Sequence, residues 1–281
     1  MKINDNQGST FVKKFVTGPT VFTNILVNPT MKEAQDYGLG YITEEPNYLS
    51  KTEEGTPRID IVVYGKVVDN PDIIVSNKYA ITAENMLSST GKTCYLRYNG
   101  ITSWADSEED LPDWFKQGEY RKALRGEEAF YDFFLAFNNT NFNDLTAFEI
   151  SKDDYKKMFS GDFSELKLLN NLPDFKWQWI CYIDEYNDKL YNKIYRNKSF
   201  KHWETTPYLY NSIDKVGSKV EWSNYIDFIV NVDVNNRFNP IYISNTCEIY
   251  TLDEIKVKIE TDEQVKEPVF EESKKPDDLP F

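Results

Sequence analysis

The sequence predicts a mainly β chain with a helical insertion and a disordered acidic end. Three observations predict it. Runs rich in β-branched and aromatic residues alternate between two faces and are bounded by Gly, Pro, Asn and Asp. One central stretch changes to helical spacing with capping signals. The last residues carry many acids and few large apolar groups.

In chain order, residues 11–28 read as an extended lead-in, a Gly18-Pro19 turn and a strand that Pro29 ends. A short polar helix follows through Lys32 to Tyr37, then a loop rich in Gly, Pro, Glu and Thr to Pro57. Arg58 to Val68 alternates, with Ile59, Ile61 and Val63 on one face and Asp60, Val62, Tyr64 and Lys66 on the other. Thr93 to Trp104 is a further strand, with Thr93, Tyr95 and Arg97 opposite Cys94, Leu96 and Tyr98, and a bend or bulge at Asn99-Gly100.

Residues 106–173 read as the helical insertion. Asp110 and Pro112 open a helix on which Tyr120, Ala123, Leu124, Phe130, Phe133, Phe134 and Phe137 recur as core residues, and Ser151 with Asp154 forms a capping box before Tyr155, Met158 and Phe159. Strands resume as a hairpin, Lys176 to Asp184 and Lys189 to Phe200, around a turn at Glu185–Asp188. Val220 to Val232 and Pro240 to Tyr250 flank a turn at 233–237, and Ile255, Val257 and Ile259 suggest a last short strand. The expected division is a folded domain over 1–259 and an acidic tail over 260–281.

Composition narrows the function. The single histidine, His202, excludes imidazole-built metal sites and a histidine-centred triad, and Cys94, Cys181 and Cys247 lack the spacing of a disulfide framework or zinc knuckle. Met1-Lys2-Ile3-Asn4 begins no apolar signal run and no stretch is long enough to cross a bilayer, so a cytoplasmic protein without membrane association is expected. Gly91-Lys92-Thr93 ends like a phosphate-binding loop, but Met86 stands where its first glycine belongs. Pro112-Asp113 with the distant Glu165-Leu166-Lys167 imitates a metal-dependent nuclease pattern, although Asp113 is already used at a helix start. The expectation is a binding protein, not an enzyme, that needs no cofactor.

The chain closes on Asp277, Asp278, Leu279, Pro280 and Phe281, an acidic strip with an aromatic tip fitted to dock in a partner's basic-rimmed pocket. This terminus resembles that of bacterial single-stranded DNA-binding proteins and their bacteriophage counterparts, which end in Asp-Asp-Ile/Leu-Pro-Phe. The resemblance implies an oligonucleotide-binding barrel (OB-fold) and a tail that recruits replication, recombination and repair proteins such as polymerase, helicase, primase or recombinase. It further implies a bacterial host cell for a phage-encoded chain. It covers five residues; the helical insertion and the lack of a long Gly/Gln-rich linker depart from the bacterial pattern and leave the tetramer in doubt, with monomer or dimer as alternatives.

Net charge is −14, and residues 260–281 hold eight acids and three lysines, which leaves −9 on the body. A DNA binder of this charge must gather its cations on one face. They concentrate between Asp174 and Trp203, where six bases and nine aromatics meet four acids. Cations that track phosphates, interleaved with rings that stack on bases, are the requirements of a single strand. Tyr191, Lys193 and Tyr195 share one face of the hairpin and, with Lys176 and Lys198, are the candidate contacts; Trp177 and Trp179 serve either as platform or as core. Tyr64 with Lys66, and Tyr95 with Arg97, repeat the pattern on earlier strands, and Lys13, Lys14 and Phe15 form an N-terminal basic-aromatic spot. An acidic DNA-mimicking interaction protein is the alternative reading, and a nuclease the third.

Overall fold

The computed structural model describes residues 14–97, 101–127, 129–130, 133, 150–170, 177–195, 208–209 and 240–266. The architecture is mainly β. Among the described residues a nine-stranded, strongly curled sheet forms a half-barrel, and a three-stranded sheet is separate from it. Among the described residues no helix is long and apolar enough to cross a membrane.

Strand β1 (Lys14–Val27) is the spine of the large sheet. Its start pairs with β12 (Glu248–Thr251), its middle with β9 (Trp177–Tyr186) and its end with β3 (Pro57–Val67), all antiparallel. Beyond β3 lie β4 (Asn70–Asn85) and β8 (Leu124–Arg125); beyond β9 lies β10 (Lys189–Ile194). The curl brings β10 back to within 8 Å of β4, Cα to Cα. β2 (Leu49–Lys51) adds to β3 and β11 (Tyr208–Leu209) to β9.

The core lies inside the curl. Val16, Phe22, Ile25 and Val27 of β1 meet Ile59, Ile61 and Val63 of β3, Ile73, Val75, Tyr79 and Ile81 of β4, and Trp179 and Cys181 of β9. Phe130 and Phe133, in helical backbone, cap it together with Tyr155 and Met158 of a helix at Lys152–Phe159 and Leu166 and Leu169 of a 3₁₀ turn at Ser164–Leu169. The expected Ser151–Asp154 capping box is formed. The hairpin is formed as well, and its reversal is narrower than four residues: Asn187 and Asp188 both take positive φ (51° and 57°), the two-residue geometry that matches strand twist.

Several expectations are corrected. Gly18-Pro19 is a kink within one continuous strand, not a turn between two. β4 has no counterpart among the expected elements, because Pro71 and the inward Asn77 interrupt its alternation. The expected strand at 93–104 is two antiparallel strands, β5 (Thr93–Arg97) and β6 (Thr102–Ala105), and the expected bend at Asn99-Gly100 lies outside the described residues. Tyr120 belongs to β7 (Tyr120–Lys122), which completes this small sheet, and Leu124 to β8; the helix begun at Pro112 ends at Lys116. The insertion is therefore part sheet. Ile255, Val257 and Ile259 lie on a helix, Leu252–Lys266, that crosses the expected boundary at 259: Ile255 is buried and Val257 is 62% exposed. Thr251 and Glu254 cap it reciprocally, Thr251 N donating to Glu254 Oε2 at 2.7 Å and Glu254 N to Thr251 Oγ1 at 3.3 Å. Only the end of the expected strand at 240–250 is strand, within β12. The expected strand at 220–232, its turn at 233–237, and Phe134 and Phe137 lie outside the described residues.

Among the described residues the bounded helices, in chain order, are α1 (Met31–Tyr37), α2 (Asp113–Lys116), α3 (Lys152–Phe159) and α4 (Leu252–Lys266). One buried ion pair ties the small sheet to the main body. Glu127, fully buried, accepts from Arg121 Nη1 of β7 at 2.8 Å and from Leu124 N at 2.8 Å, while the Arg121 guanidinium lies 5.3 Å from the Tyr155 ring centre of α3.

Two outcomes follow from this packing. Gly18 has φ +84°, and a Cβ there would stand 2.1 Å from the Thr246 carbonyl oxygen, so Gly18→Ala lowers the urea midpoint far more than Gly55→Ala, where φ is +86° but space is open and the cost is about 1–2 kcal/mol. Glu127→Ala removes the carboxylate that pairs the largely buried Arg121 guanidinium and costs about 3–5 kcal/mol in the same denaturation assay.

Candidate nucleic-acid interface

The outward side of β3 and β4 becomes a site because the β1–β3 connection folds back over it. Thr30 caps α1 in a reciprocal box with Glu33, and Lys167 Nζ holds both the Asn28 carbonyl, at 2.9 Å, and the Glu33 carboxylate. α1 ends at Gly38 in the left-handed conformation, and Leu39 and Ile42 turn down onto Leu26 and Tyr64 as a small core of their own.

That fold-back gathers four tyrosines. Tyr37 donates its hydroxyl to the Asn24 carbonyl, and Lys66 Nζ of β3 sits 4.5 Å from its ring centre. Tyr64, 8% exposed, hydrogen-bonds through its hydroxyl to Tyr41, which is 60% exposed. Tyr48 donates to the Pro29 carbonyl at 2.7 Å and meets Phe163 edge-on at 5.8 Å. Burial pushes the phenols of Tyr37, Tyr48 and Tyr64 well above the ordinary tyrosine range; neighbouring Tyr64, Glu45 and Glu33 add to the effect at Tyr48. Three cations lie on the same outward face by strand register: Arg58 and Lys66 of β3, and Lys78 of β4 opposite Val62. Asp60 bridges two of them, to Arg58 Nη2 at 2.8 Å and Lys78 Nζ at 3.3 Å.

The candidates named from sequence divide. Tyr64 and Lys66 belong to this face. On the hairpin, Tyr191 is half-buried and Lys193 is exposed and ion-paired with Asp184, while Tyr195 is 5% exposed. Trp179 is core: it is 4% exposed, with Phe22 edge-on at 5.1 Å and Phe133 stacked at 5.8 Å. Trp177 pairs through its backbone with Phe22 and Leu209, and its side chain is outside the description. Tyr95 and Arg97 are on the small sheet, apart from the large one. Tyr95 is 2% exposed against Phe115 and Tyr120; Arg97 lies 6.0 Å from the Phe115 ring centre and donates to the Trp114 carbonyl at 3.4 Å. Phe15 is core, and Lys14 is exposed. Lys13, Lys176, Lys198 and the terminal Asp277, Asp278, Leu279, Pro280 and Phe281 are outside the described residues.

Tyr37, Tyr41, Tyr48, Arg58 and Lys78 were not foreseen. Of the nuclease pattern, Lys167 is taken by Asn28 and Glu33, and Glu165 pairs with Lys157. Among the described residues no group of three His, Cys, Asp or Glu could hold a metal ion. No family model matches the chain, and neither a curated protein nor a solved structure does.

The raised phenol pKa values set an alkaline limit. In the unfolded chain these tyrosines ionise near about pH 10, whereas in the folded chain they stay neutral. The unfolded state thus loses protons first, and stability, complete below about pH 10, falls as pH rises above it. Tyrosinate absorbance from Tyr37, Tyr48 and Tyr64 therefore emerges together with loss of near-ultraviolet circular dichroism; substituting each by Phe removes its share of the alkaline absorbance step.

Proposed function

We propose that this chain is a sequence-nonspecific single-stranded DNA-binding protein of bacteriophage type, with an OB-fold as its binding body. The observation that carries the reading is the gathering of Tyr37, Tyr41, Tyr48 and Tyr64 with Arg58, Lys66 and Lys78 on one outward face. Aromatic rings supply stacking at any base, and the cations supply contacts to phosphates.

The strand path supports the barrel. Setting aside the three-residue β2, the two-residue β8 and the small sheet of β5–β7, strands β1, β3 and β4 run in sequence, the helical segments 152–159 and 164–169 follow, and β9 and β10 close the circuit by pairing β9 with β1 and bringing β10 beside β4. A five-stranded, partly open barrel with a helix between its third and fourth strands has this outline. In such barrels the second and third strands and the adjoining loops bind oligonucleotides. Here those strands are β3 and β4, and the adjoining loops are 28–56 and the Asn187–Asp188 turn. The hairpin's outward Tyr191 and Lys193 extend the surface on the β10 side.

In this mechanism Tyr41, the exposed member, stacks first on a base, with its hydroxyl held by Tyr64. Arg58 and Lys78 exchange Asp60 for phosphate, and Lys66 lies over Tyr37 with its charge directed along the face. The tail ending in Phe281 recruits replication, recombination and repair proteins while the body holds the strand.

Fluorescence anisotropy of labelled oligo-dT and of an equal-length duplex, across a salt series, tests the reading. Oligo-dT binds tightly and the duplex weakly. Tyr41→Ala weakens oligo-dT binding about 5- to 150-fold, the equivalent of one lost stack of about 1–3 kcal/mol. Lys66→Gln makes the slope of log K against log salt shallower by about 0.7. Failure of the full chain to bind either nucleic acid at low salt overturns the proposal and favours the acidic DNA mimic.

A further inference from the structure

Two of the three cysteines, remote in sequence, converge on one hydroxyl. Cys181 of β9 stands opposite Gly18 of β1, and the Thr246 carbonyl occupies the place where a Gly18 side chain would begin, which lays residues 246 and 247 across that pair. Cys247 Sγ donates to Thr20 Oγ1 at 3.8 Å, and the same Thr20 hydroxyl is a hydrogen-bond partner of Cys181. The two cysteines thus share one hydroxyl partner. Cys181 is fully buried and Cys247 half-buried, so Cys247 is the more accessible of the two to an oxidant. Cys94 packs in a separate cluster with Leu96 and Ala123 and has no part in this arrangement.

We propose that Cys181 and Cys247 are an oxidative modification site at which a hydroperoxide drives an intramolecular disulfide, fastening the C-terminal segment to β9. The steps balance. The Cys247 sulfur attacks the peroxide oxygen, giving the sulfenic acid and one molecule of alcohol, or of water from hydrogen peroxide. The Cys181 sulfur then displaces hydroxide from the sulfenic sulfur, and with the Cys181 proton this leaves as water. Two thiols lose two electrons, and the peroxide gains them. The approach is set by Thr20, whose hydroxyl both cysteines contact, and by the Thr246 carbonyl lying against Gly18, the residue paired with Cys181.

Burial sets the rate. It pushes the Cys181 thiol up to about 12 and raises that of Cys247 as well, so both are protonated at neutral pH and the reaction is slow. It accelerates with pH and with local opening of the 240–247 segment. The crosslink closes a long loop of chain, which restricts the unfolded state.

The experiment uses the reduced full-length protein exposed to hydrogen peroxide, then quenched with an alkylating agent and mapped without reduction. The expected product is a monomer lighter by about 2 Da before alkylation. In it Cys181 is joined to Cys247, Cys94 is alkylated, and the melting temperature is raised by roughly 5–15 °C. Cys247→Ser abolishes the crosslink, whereas Cys94→Ser retains it. Sulfinic or sulfonic acid at Cys247 with Cys181 alkylated, a crosslink between chains, or three alkylated thiols after prolonged exposure at pH 8.5 (about the free thiol pKa) each overturns the proposal.

Discussion

The structure depends on what β1 is required to do. One strand of fourteen residues has to pair with β12, β9 and β3 in succession, and a straight ribbon cannot face three partners in a curled sheet. Local backbone choices supply the bends. Gly18 at φ +84° kinks the strand where pairing passes from β12 to β9, and Asn24 at φ +50° sits at the register shift in the β3 pairing. At the end of β1, Asn28 at φ +41° uses its side-chain amide as a surrogate strand: it accepts from Val62 N at 2.7 Å and donates to the Asp60 carbonyl at 3.1 Å. A residue with a Cβ at Gly18 would meet the Thr246 carbonyl, so the same kink that curves the sheet also admits the C-terminal segment against β1, where Cys247 packs on the main core. Ser244 N donating to Thr17 Oγ1 at 3.1 Å then seals that segment in place.

The candidate interface is a consequence of that curvature. Because Asn28 continues the pairing to β3, the connection that follows leaves from the outward face, and α1 is delivered onto it. The connection is fixed by polar contacts at its root, Lys167 to Asn28 and Glu33, and by apolar contacts at its tip, Leu39 and Ile42 on Leu26 and Tyr64. A surface made in this way is stiff under Tyr41, since the ring is exposed but its hydroxyl partner Tyr64 is core. Exposed rings on rigid support lose little entropy on stacking.

What was legible in the sequence follows the range of the forces involved. The β9–β10 hairpin was readable because alternation and an Asn-Asp turn are local signals, and α3 because Ser151 and Asp154 lie three residues apart. α4 was misread: Ile255, Val257 and Ile259 imitate a strand, while the decisive signal was the Thr251–Glu254 capping box just before them. Tyr120 and Leu124 fit a helical period by chance of spacing, but both lie on short strands, and Arg121 between them is claimed by the buried Glu127. The interface was half legible. Tyr64 and Lys66 alternate on a strand, whereas Tyr37, Tyr41 and Tyr48 sit in an irregular connection with no period to betray them, and only packing on Leu26 and Tyr64 unites them. Trp179 shows the converse: alternation placed it on a face, and the curl decided that the face was inside.

The electrostatics of the face bear on how such a body, at net −9 without residues 260–281, would hold an anionic strand. Its cations are not massed. Arg58 and Lys78 share Asp60, Lys193 is matched by Asp184, and Lys66 is spread over the Tyr37 ring. Each exposed pair is worth at most about 1 kcal/mol, so an arriving phosphate displaces a carboxylate at small cost and without leaving a buried charge unpaired. Pairing also keeps the free surface close to neutral, which weakens long-range attraction to duplex DNA, where affinity rests on phosphate contacts. Stacking is different: it needs unpaired bases and is indifferent to the net charge of the chain. On the proposed reading, preference for single strands arises because the tyrosines supply most of the affinity and the matched cations supply alignment, an arrangement that an acidic chain can sustain and a basic one would not need.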